Sequence, residues 1–575
     1  MSSVISVISL TKQLRAARSS PGQRPTFVGP LAAIAWRPPA RRRITQFIEP
    51  LPLEGDSPFG PTRPREAHDT MRAPAVSVGP DAPGRILRPI SLEACGIVGF
   101  AGSIAILLGV FQAGSPFSLS TPDAWLFATA DGARTAGSGF LGLMLVVIGI
   151  VLMLGGWFEL VRTVRRRPSV PIRHLVAILI AWVGPIAVMP PLFSRDVYLY
   201  AAQGEMVQHG LNPYVHTASA LGGGLYLRLA DPLWRHMISP YGPVWERLSG
   251  VVVGLSPHDV AMAVAGFRLV ALVGLGLIAW GITSLARSIR RPDNVAFALG
   301  PLNPLVLLVL VGGAHIEALM LGLLVAGCAL ARRNHALAGL VLCALAAQVE
   351  LPAIIGAVFI GWWWHHGNWR QRVPRVLSAV AIVSVLMAVI GVVANLGWHW
   401  LAGLADPGKI VSWLDPATAL GLAVAHAASA LGVGWHTAGL VEISRGVGLG
   451  LAAALSVLLL LRSKRQGEVE ALGWSLLLFA VLGPVVEPWY EVWGCVVLAV
   501  VAERWTLRFV LGLSALACFA EMPPARSFAA SDPVLTVICW TVLVALVGTY
   551  AAARLGTSFP RLAIPPRPAT APGCD

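Results

Sequence analysis

Charge is scarce in this sequence, and lysine is scarcer still. Only 13% of the 575 residues are charged while 56% are hydrophobic, and three lysines (Lys12, Lys409, Lys464) stand among 43 basic residues. Soluble domains run near about 25% charged, so an ordinary water-soluble protein is excluded. Cysteine is sparse and unpaired. Cys95, Cys328, Cys343, Cys495, Cys518 and Cys539 fall singly in apolar runs, and Cys574 stands near the end. No C-x-x-C and no Cys/His cluster of zinc spacing occurs, so neither a disulfide framework nor a metal site is indicated. Apolar packing accounts for the thiols. No Gly-rich phosphate loop offers a nucleotide-sugar site. No aromatic-plus-basic motif accompanies the net charge of +14, which therefore points to anionic lipid and not to nucleic acid. No apolar core with a cleavage site opens the chain, so no signal peptide is read there.

Long apolar runs are what the sequence does have. Mean hydropathy is +0.70, and many runs reach about 15–25 residues, the length that spans a bilayer. The reading is an all-α polytopic integral membrane protein with about fourteen transmembrane helices. These lie near 94–112, 139–160, 174–190, 261–286, 295–311, 317–331, 336–349, 351–364, 376–396, 438–461, 470–486, 489–502, 508–521 and 534–553. Residues 1–93 hold 14 Pro, 13 Lys/Arg and 7 Asp/Glu without sustained periodicity, and read as a disordered, basic, Pro-rich cytoplasmic tail. Translation from Met71 is the plainer alternative for the first seventy positions. Residues 556–575 form a second cytoplasmic tail. Within 336–364, the run Gln348-Val349-Glu350-Leu351-Pro352 predicts a tight hairpin, because Pro breaks the helical ladder and Glu is disfavoured in lipid.

Charge placement supports that topology. With the N-terminus inside, 21 of the 30 basic residues after position 93 fall in inner loops, as the positive-inside rule expects. A single span over 336–364 would export Arg370, Arg372 and Arg375. Both termini are therefore expected in the cytoplasm of a multi-pass plasma-membrane protein. Carboxylates run the other way: 16 of the 22 after position 93 land outside, including Glu205, Asp231, Glu246, Asp406, Asp415, Glu442, Glu487 and Glu491. Insertion does not explain that excess. An extracytoplasmic site for a polar substrate does, with merely wetter outer loops as the alternative.

The longest outer connection, 191–260, opens Ser194-Arg195-Asp196-Val197-Tyr198-Leu199-Tyr200. It continues through Asn212-Pro213-Tyr214 and closes on Pro240-Tyr241-Gly242-Pro243. Stretches such as 225–234 are amphipathic and suit an interfacial helix. A carboxylate at a half-desolvated boundary has raised basicity and suits general-base work. The competing reading is a helix start, with Ser194 or Asp196 as N-cap and the tyrosines in the aromatic belt. Three further outer turns carry Gly312-Gly313-Ala314-His315-Ile316-Glu317, the hairpin tip at Glu350, and Glu487-Pro488-Trp489-Tyr490. Singly, His315 reads as a buried imidazole, Trp489, Tyr490 and Trp493 as belt aromatics, and Glu350 and Glu491 as solvated tips. Their convergence on one face is the informative feature.

Ser-Arg-Asp-Val-Tyr at 194–198, Asn-Pro-Tyr at 212–214, Pro-Tyr-Gly-Pro at 240–243, Gly-Gly-Ala-His-x-Glu-Ala-Leu-Met at 312–320 and Glu-Pro-Trp-Tyr at 487–490 share one resemblance. In sequence and order they resemble the actinobacterial polyprenol-phosphate-mannose-dependent α-1,6-mannosyltransferases (the MptA/MptB type), over roughly residues 95–555. The resemblance implies a GT-C-like bundle whose long first outer loop, with its interfacial helices, is catalytic. It implies transfer of mannose from a polyprenyl-phosphate-mannose donor to an α-1,6-mannan acceptor, the lipomannan and lipoarabinomannan backbone, outside the membrane. The position that matches the superfamily's catalytic Asp is Asp196. Arg195, Tyr198, Asn212, Tyr214, Tyr241, His315, Glu317, Glu350, Trp489 and Tyr490 are the substrate-binding expectations. Two positions depart: the family usually has His-Asn-Asp/Glu where this chain has His315-Ile316-Glu317, and Lys-x-Pro where it has Glu350-Leu351-Pro352.

No cofactor and no metal is expected, the lipid-linked donor being a substrate. The implied partners are that donor, a mannan glycolipid acceptor and membrane lipid. Such a transfer needs a base for the acceptor hydroxyl and cations for the departing phosphate. Arg195, Arg247, Arg268 and Arg445 are candidates for the second role. A single displacement inverts the anomeric centre. Two alternatives stand beside this reading. One is a transporter or lipid flippase, against which speak the sparse mid-span charge and the lack of broken helices repeated in two halves. The other is a catalytically degenerate member serving as a binding or assembly subunit, motivated by Ile316 and Glu350.

Overall fold

In a computed structural model of the chain, the described residues are 91–112 and 139–520, without 168, 257–258, 366, 414, 464–466 and 502, together with Met522. A two-residue ladder, Ala124–Trp125 against Ala128–Thr129, is described besides. Residues 1–90 of the expected tail, the expected span at 534–553, the tail 556–575, and Cys539 and Cys574 lie outside the described residues.

Apart from that ladder, the described residues that take regular structure are helical. Among the described residues, five helices are long and apolar enough to cross a membrane: Leu92–Val110, Phe140–Arg166, Val260–Ser288, Trp369–Ala394 and Thr437–Arg462. A sixth follows if Val306–Gly312 and Glu317–Arg332, bent by 117°, are one broken span. Ile172–Val188, Ala336–Ala347, Leu351–Trp363 and Trp505–Ala520 are shorter apolar helices. Most expected runs are thus helical, but they are not fourteen full-length spans. The run 295–311 is interrupted: helix Asp293–Leu299 stops before Gly300-Pro301, and the chain resumes as a π-helical turn, Val306–Gly312, after Pro304. Proline lacks the N–H and blocks the preceding carbonyl, so two in four residues end a ladder. One apolar helix, Pro416–Ala430, falls where a connection was expected.

The longer helices carry apolar faces that no protein covers. On Trp369–Ala394, Leu377, Val385, Val392 and Val393 are largely exposed, an arrangement fitted to lipid and costly in water. Inside, helices meet through small residues. Gly142, Gly149 and Gly156 recur every seven residues. A Cβ on Gly102 would come within 2.6 Å of the Gly149 carbonyl oxygen, and one on Gly109 within 2.7 Å of that of Gly142. Lipid supplies no hydrophobic drive between helices, so such close backbone approach does the packing. Gly149→Leu would part the first two long helices.

The chain reverses at 348–350. Cys343 Sγ donates to the Ala353 carbonyl at 3.3 Å, whereas ten residues of continuous helix would separate them by about 15 Å. The reversal sorts residues to two ends of the bundle. Helices Glu317–Arg332, Trp369–Ala394 and Glu468–Leu482 join at one end, where Glu468 bridges Arg332 at 3.1 Å and Arg372 at 2.7 Å. The far ends of the latter two, and the tip at Glu350, lie toward the other.

Candidate active site

Helix Asp196–Gln208 follows Pro190-Pro191 and a left-handed Phe193 (φ 68°). Arg195 holds the N-cap position without a capping side chain, and Ser194 Oγ instead accepts the Asp196 N–H at 3.1 Å. Of the two capping residues considered, Ser194 does this work from one position earlier. Asp196 sits in the first helical turn, where the dipole favours a carboxylate. From there Asp196, Leu199 and Gln203, at i, i+3 and i+7, form one stripe along a cavity of about 410 Å³.

Five segments close this cavity. They are the helix just described, the loop 234–241, the hairpin tip at Glu350, a strap holding Leu404 and Asp406, and the turn 483–493. One wall is polar or aromatic, with Asp196, Gln203, Tyr241, Glu350, Asp406 and Glu487. The other is apolar, with Ile355, Leu449 and Phe479 from helices Ile355–Trp363, Thr437–Arg462 and Glu468–Leu482. The lining thus combines apolar side chains, all three from helices, with polar ones from helix Asp196–Gln208 and the surrounding turns.

The loops are tied down by side chains of which only Asp406 also lines the cavity. Asn212 Oδ1 accepts the Tyr214 N–H at 2.9 Å, and its Nδ2 donates to the Leu396 carbonyl at 2.7 Å. Tyr214 Oη donates to the Tyr241 carbonyl at 2.9 Å. Gly242 lies against the hairpin tip, where a Cβ would come within 2.2 Å of the Gln348 carbonyl oxygen, and its N–H donates to Val349 O at 3.2 Å. No other residue fits that contact. Ser239 Oγ donates to Glu246 Oε1 at 2.5 Å, and burial pushes the Glu246 carboxyl up to about 8. Asp406 accepts the Ile238 N–H at 2.9 Å and pairs with Lys409 at 2.5 Å. Asp415 accepts the Val486 N–H at 2.8 Å, and burial pushes it up to about 6.

Of the expected site residues, Asp196, Tyr241, Glu350, Trp489 and Tyr490 line the cavity. His315 and Glu317 stand behind it, both 2% exposed: the imidazole packs on Trp489 with centroids 4.3 Å apart, and Nδ1 is 3.6 Å from Glu317 Oε2. Arg195, Tyr198, Asn212 and Tyr214 are not among the lining residues. Three arginines expected as phosphate cations are engaged elsewhere. Arg268 donates to the carbonyls of Ala187, Met189, Pro190, Val311 and Gly312. Arg445 holds Gly408, Ile410 and Thr418, and Arg247 holds Ala394 and Asn395. Helix breaks leave carbonyls without intrahelical partners, and a guanidinium satisfies several at once.

Among the described residues, the lining therefore holds four carboxylates and no Arg, Lys or His. Burial, and then the charge of Glu317, hold the Glu350 carboxyl well above the usual range, which favours its protonated form. Gln203, Trp234, Asp406 and Glu487 were not among the expected site residues; of these, Gln203 carried a signal, its i+7 spacing from Asp196. Among the described residues, no three His, Cys, Asp or Glu side chains are placed to hold one metal ion.

Comparison with known proteins matches both halves of the chain. Residues 96–366 match the family model described as "Alpha-(1->6)-mannopyranosyltransferase, N-terminal domain", and residues 417–551 match "MptB C-terminal domain". The chain is 32% identical over 455 residues to a probable alpha-(1->6)-mannopyranosyltransferase of Mycolicibacterium smegmatis, covering 72% of this chain and 80% of that one. It is 32% identical over 436 residues to alpha-(1->6)-mannopyranosyltransferase A of Mycobacterium tuberculosis, covering 72% and 82%. It is 29% identical over 538 residues to alpha-(1->6)-mannopyranosyltransferase B of Corynebacterium glutamicum, covering 84% and 86%.

Proposed function

The chain belongs to the alpha-(1->6)-mannopyranosyltransferase family, and from that premise we propose that it moves mannose from a polyprenyl-phosphate-mannose donor to an α-1,6-mannan acceptor. The observation that carries this reading is a buried carboxylate, Asp196, in a cavity that combines polar side chains with apolar ones, among them Leu449 of the membrane-crossing helix Thr437–Arg462. A donor with a hydrocarbon tail and a sugar head has that same division. The tail lies along Ile355, Leu449 and Phe479, and the head reaches Asp196.

Asp196 takes the proton of the acceptor hydroxyl as its oxygen attacks the anomeric carbon. The bond from that carbon to the phosphate oxygen breaks, and the polyprenyl phosphate leaves with the electron pair. One displacement inverts the centre, so a β-linked donor yields an α-product. The phosphate needs no acid to depart, but its charge must be tolerated beside four carboxylates. A protonated Glu350 meets it with a hydrogen bond in place of a cation. The cavity end faces the outside and the arginine end the cytoplasm, as the 21-to-nine basic split favours.

The test is to incubate the purified protein in detergent with lipid-linked mannose and short α-mannosides, then determine the new linkage. An α-1,6 bond is expected. A flippase would make no bond. A second reading, binding without turnover, is favoured by the lack of a lining cation among the described residues. It predicts donor binding and no product in the same assay.

A further inference from the structure

The cavity holds one neutral polar group that the transfer step does not use. Gln203 lines it, is 3% exposed, and its Oε1 is buried with no hydrogen-bond partner. A buried acceptor without a donor is costly, and protein structures rarely keep one without a ligand or water to complete it. A second group is in the same condition across the cavity: Trp493, also 3% exposed, has an indole N–H with no partner. A neutral acceptor, a neutral donor and the aromatic face of Trp234 are together suited to hydroxyls and C–H faces, the surface a carbohydrate presents. They offer nothing to a phosphate or to an isoprenoid chain.

Position adds the second half of the argument. Gln203 lies seven residues beyond Asp196 on one helix face, which sets it about 10 Å farther along the axis. That is more than the width of one pyranose ring. A sugar whose reacting hydroxyl meets Asp196 therefore does not reach Gln203; the next unit does.

We infer that Gln203 is the recognition residue of an acceptor subsite for the penultimate sugar, so that the acceptor is an oligomannoside of at least two units. This rests on the mannosyltransferase reading above and deepens it. The enzyme extends a chain already begun, and the first mannose of the acceptor must be attached by a separate transferase reaction.

The experiment compares methyl α-mannoside with methyl α-1,6-dimannoside as acceptors for the full-length protein and for Gln203→Met, which keeps the volume and removes the amide. Wild type is expected to favour the dimannoside by about tenfold in kcat/KM, the usual worth of one hydrogen bond. The variant should bring that ratio to about one, chiefly through a rise in KM for the dimannoside. Gln203→Asn, which keeps the amide but withdraws it, should fall between, and thermal unfolding checks that each variant is folded. Equal use of both acceptors by wild type overturns the subsite, as does an equal loss for both acceptors in the variant. Dimannoside binding is read in parallel from tryptophan fluorescence, since Trp234, Trp489 and Trp493 line the cavity. Binding that Gln203→Met weakens, in a protein that transfers nothing, upholds the subsite and overturns only the transferase reading. Binding that the variant leaves unchanged overturns the subsite.

Discussion

The two ends of this bundle treat buried charge in opposite ways. At the far end every buried carboxylate has a cation: Glu468 lies between Arg332 and Arg372, whose guanidinium groups rest over Trp363 and Trp362 at 5.4 and 5.0 Å. At the cavity end Asp406 pairs with the exposed Lys409, while Glu350 keeps a buried oxygen without a hydrogen-bond partner, and among the described residues no cation lines the cavity. A paired, saturated cluster locks helices together and does little else. An unpartnered buried oxygen is left open for a ligand. The comparison predicts that substitutions at the cavity end change chemistry while those at the arginine end change stability.

The sharpest way to break the comparison is to ask which end faces outward, since the answer is all or none. Gly223 and His365 are exposed, one on the catalytic loop and one beside the arginine end. In a background without native cysteines, an impermeant thiol reagent applied to intact cells should label Gly223→Cys and miss His365→Cys. Labelling of His365→Cys alone would invert the proposed orientation.

Asp196→Asn keeps shape and can still begin a helix. Loss of the base should lower turnover by about two to four decades with donor binding and insertion retained. Wild-type turnover in the variant would leave Asp196 with a structural role.

Glu468→Gln is the counterpart at the other end. Removing one member of a buried ion cluster leaves two guanidinium groups without their anion, at a cost of roughly 2–4 kcal/mol. The melting temperature in detergent should fall, while turnover per folded molecule stays at the wild-type level. A turnover defect of the Asp196→Asn kind would erase the distinction between the ends.

Glu350→Lys gives a smaller effect of opposite sign. It places a cation where the lining has none, and KM for the donor should fall by about fivefold. An unchanged KM in an active protein would show that the hairpin tip does not meet the phosphate.

How much of this was legible depends on which signal each element carries. The break at 348–350 could be read, because Glu350 and Pro352 both oppose a continuous helix in lipid. The runs at 140–166 and 260–288 were legible from apolar length alone. Helix Pro416–Ala430 was not: it is rich in Ala and only 15 residues long, too short to stand out as a span. The interruption within 295–311 was masked for the opposite reason, since strong apolarity hid Pro301 and Pro304. Side-chain use was the least legible. Arg268 looks the same in sequence whether it binds phosphate or five backbone carbonyls, because helix breaks are tertiary facts. Asn212 and Tyr214 stand in one motif and Tyr241 in the next, all on the same loop, yet the first two hold the loop and the third lines the cavity.

The smallest expected effect tests whether unpaired charge at the cavity end is confined to the lining. Glu246 lies just behind it, fully buried, with Oε1 bonded to Ser239 and Oε2 without a partner. Burial raises its carboxyl from the ordinary value of 4.5 to about 8, so the folded chain binds this proton more tightly than the unfolded chain. The stability it contributes is complete below about pH 4.5 and is lost as the pH rises through about 8. Glu246→Gln is neutral at every pH and can still bond Ser239. Between pH 6 and 9 the wild-type melting temperature should decline relative to the variant, with the variant ahead by roughly 2–4 °C at pH 9. Parallel curves would mean that Glu246 stays ionised when buried, and that a cation or bound water outside Ser239 compensates it. The contrast between the two ends would then extend only to the residues that line the cavity.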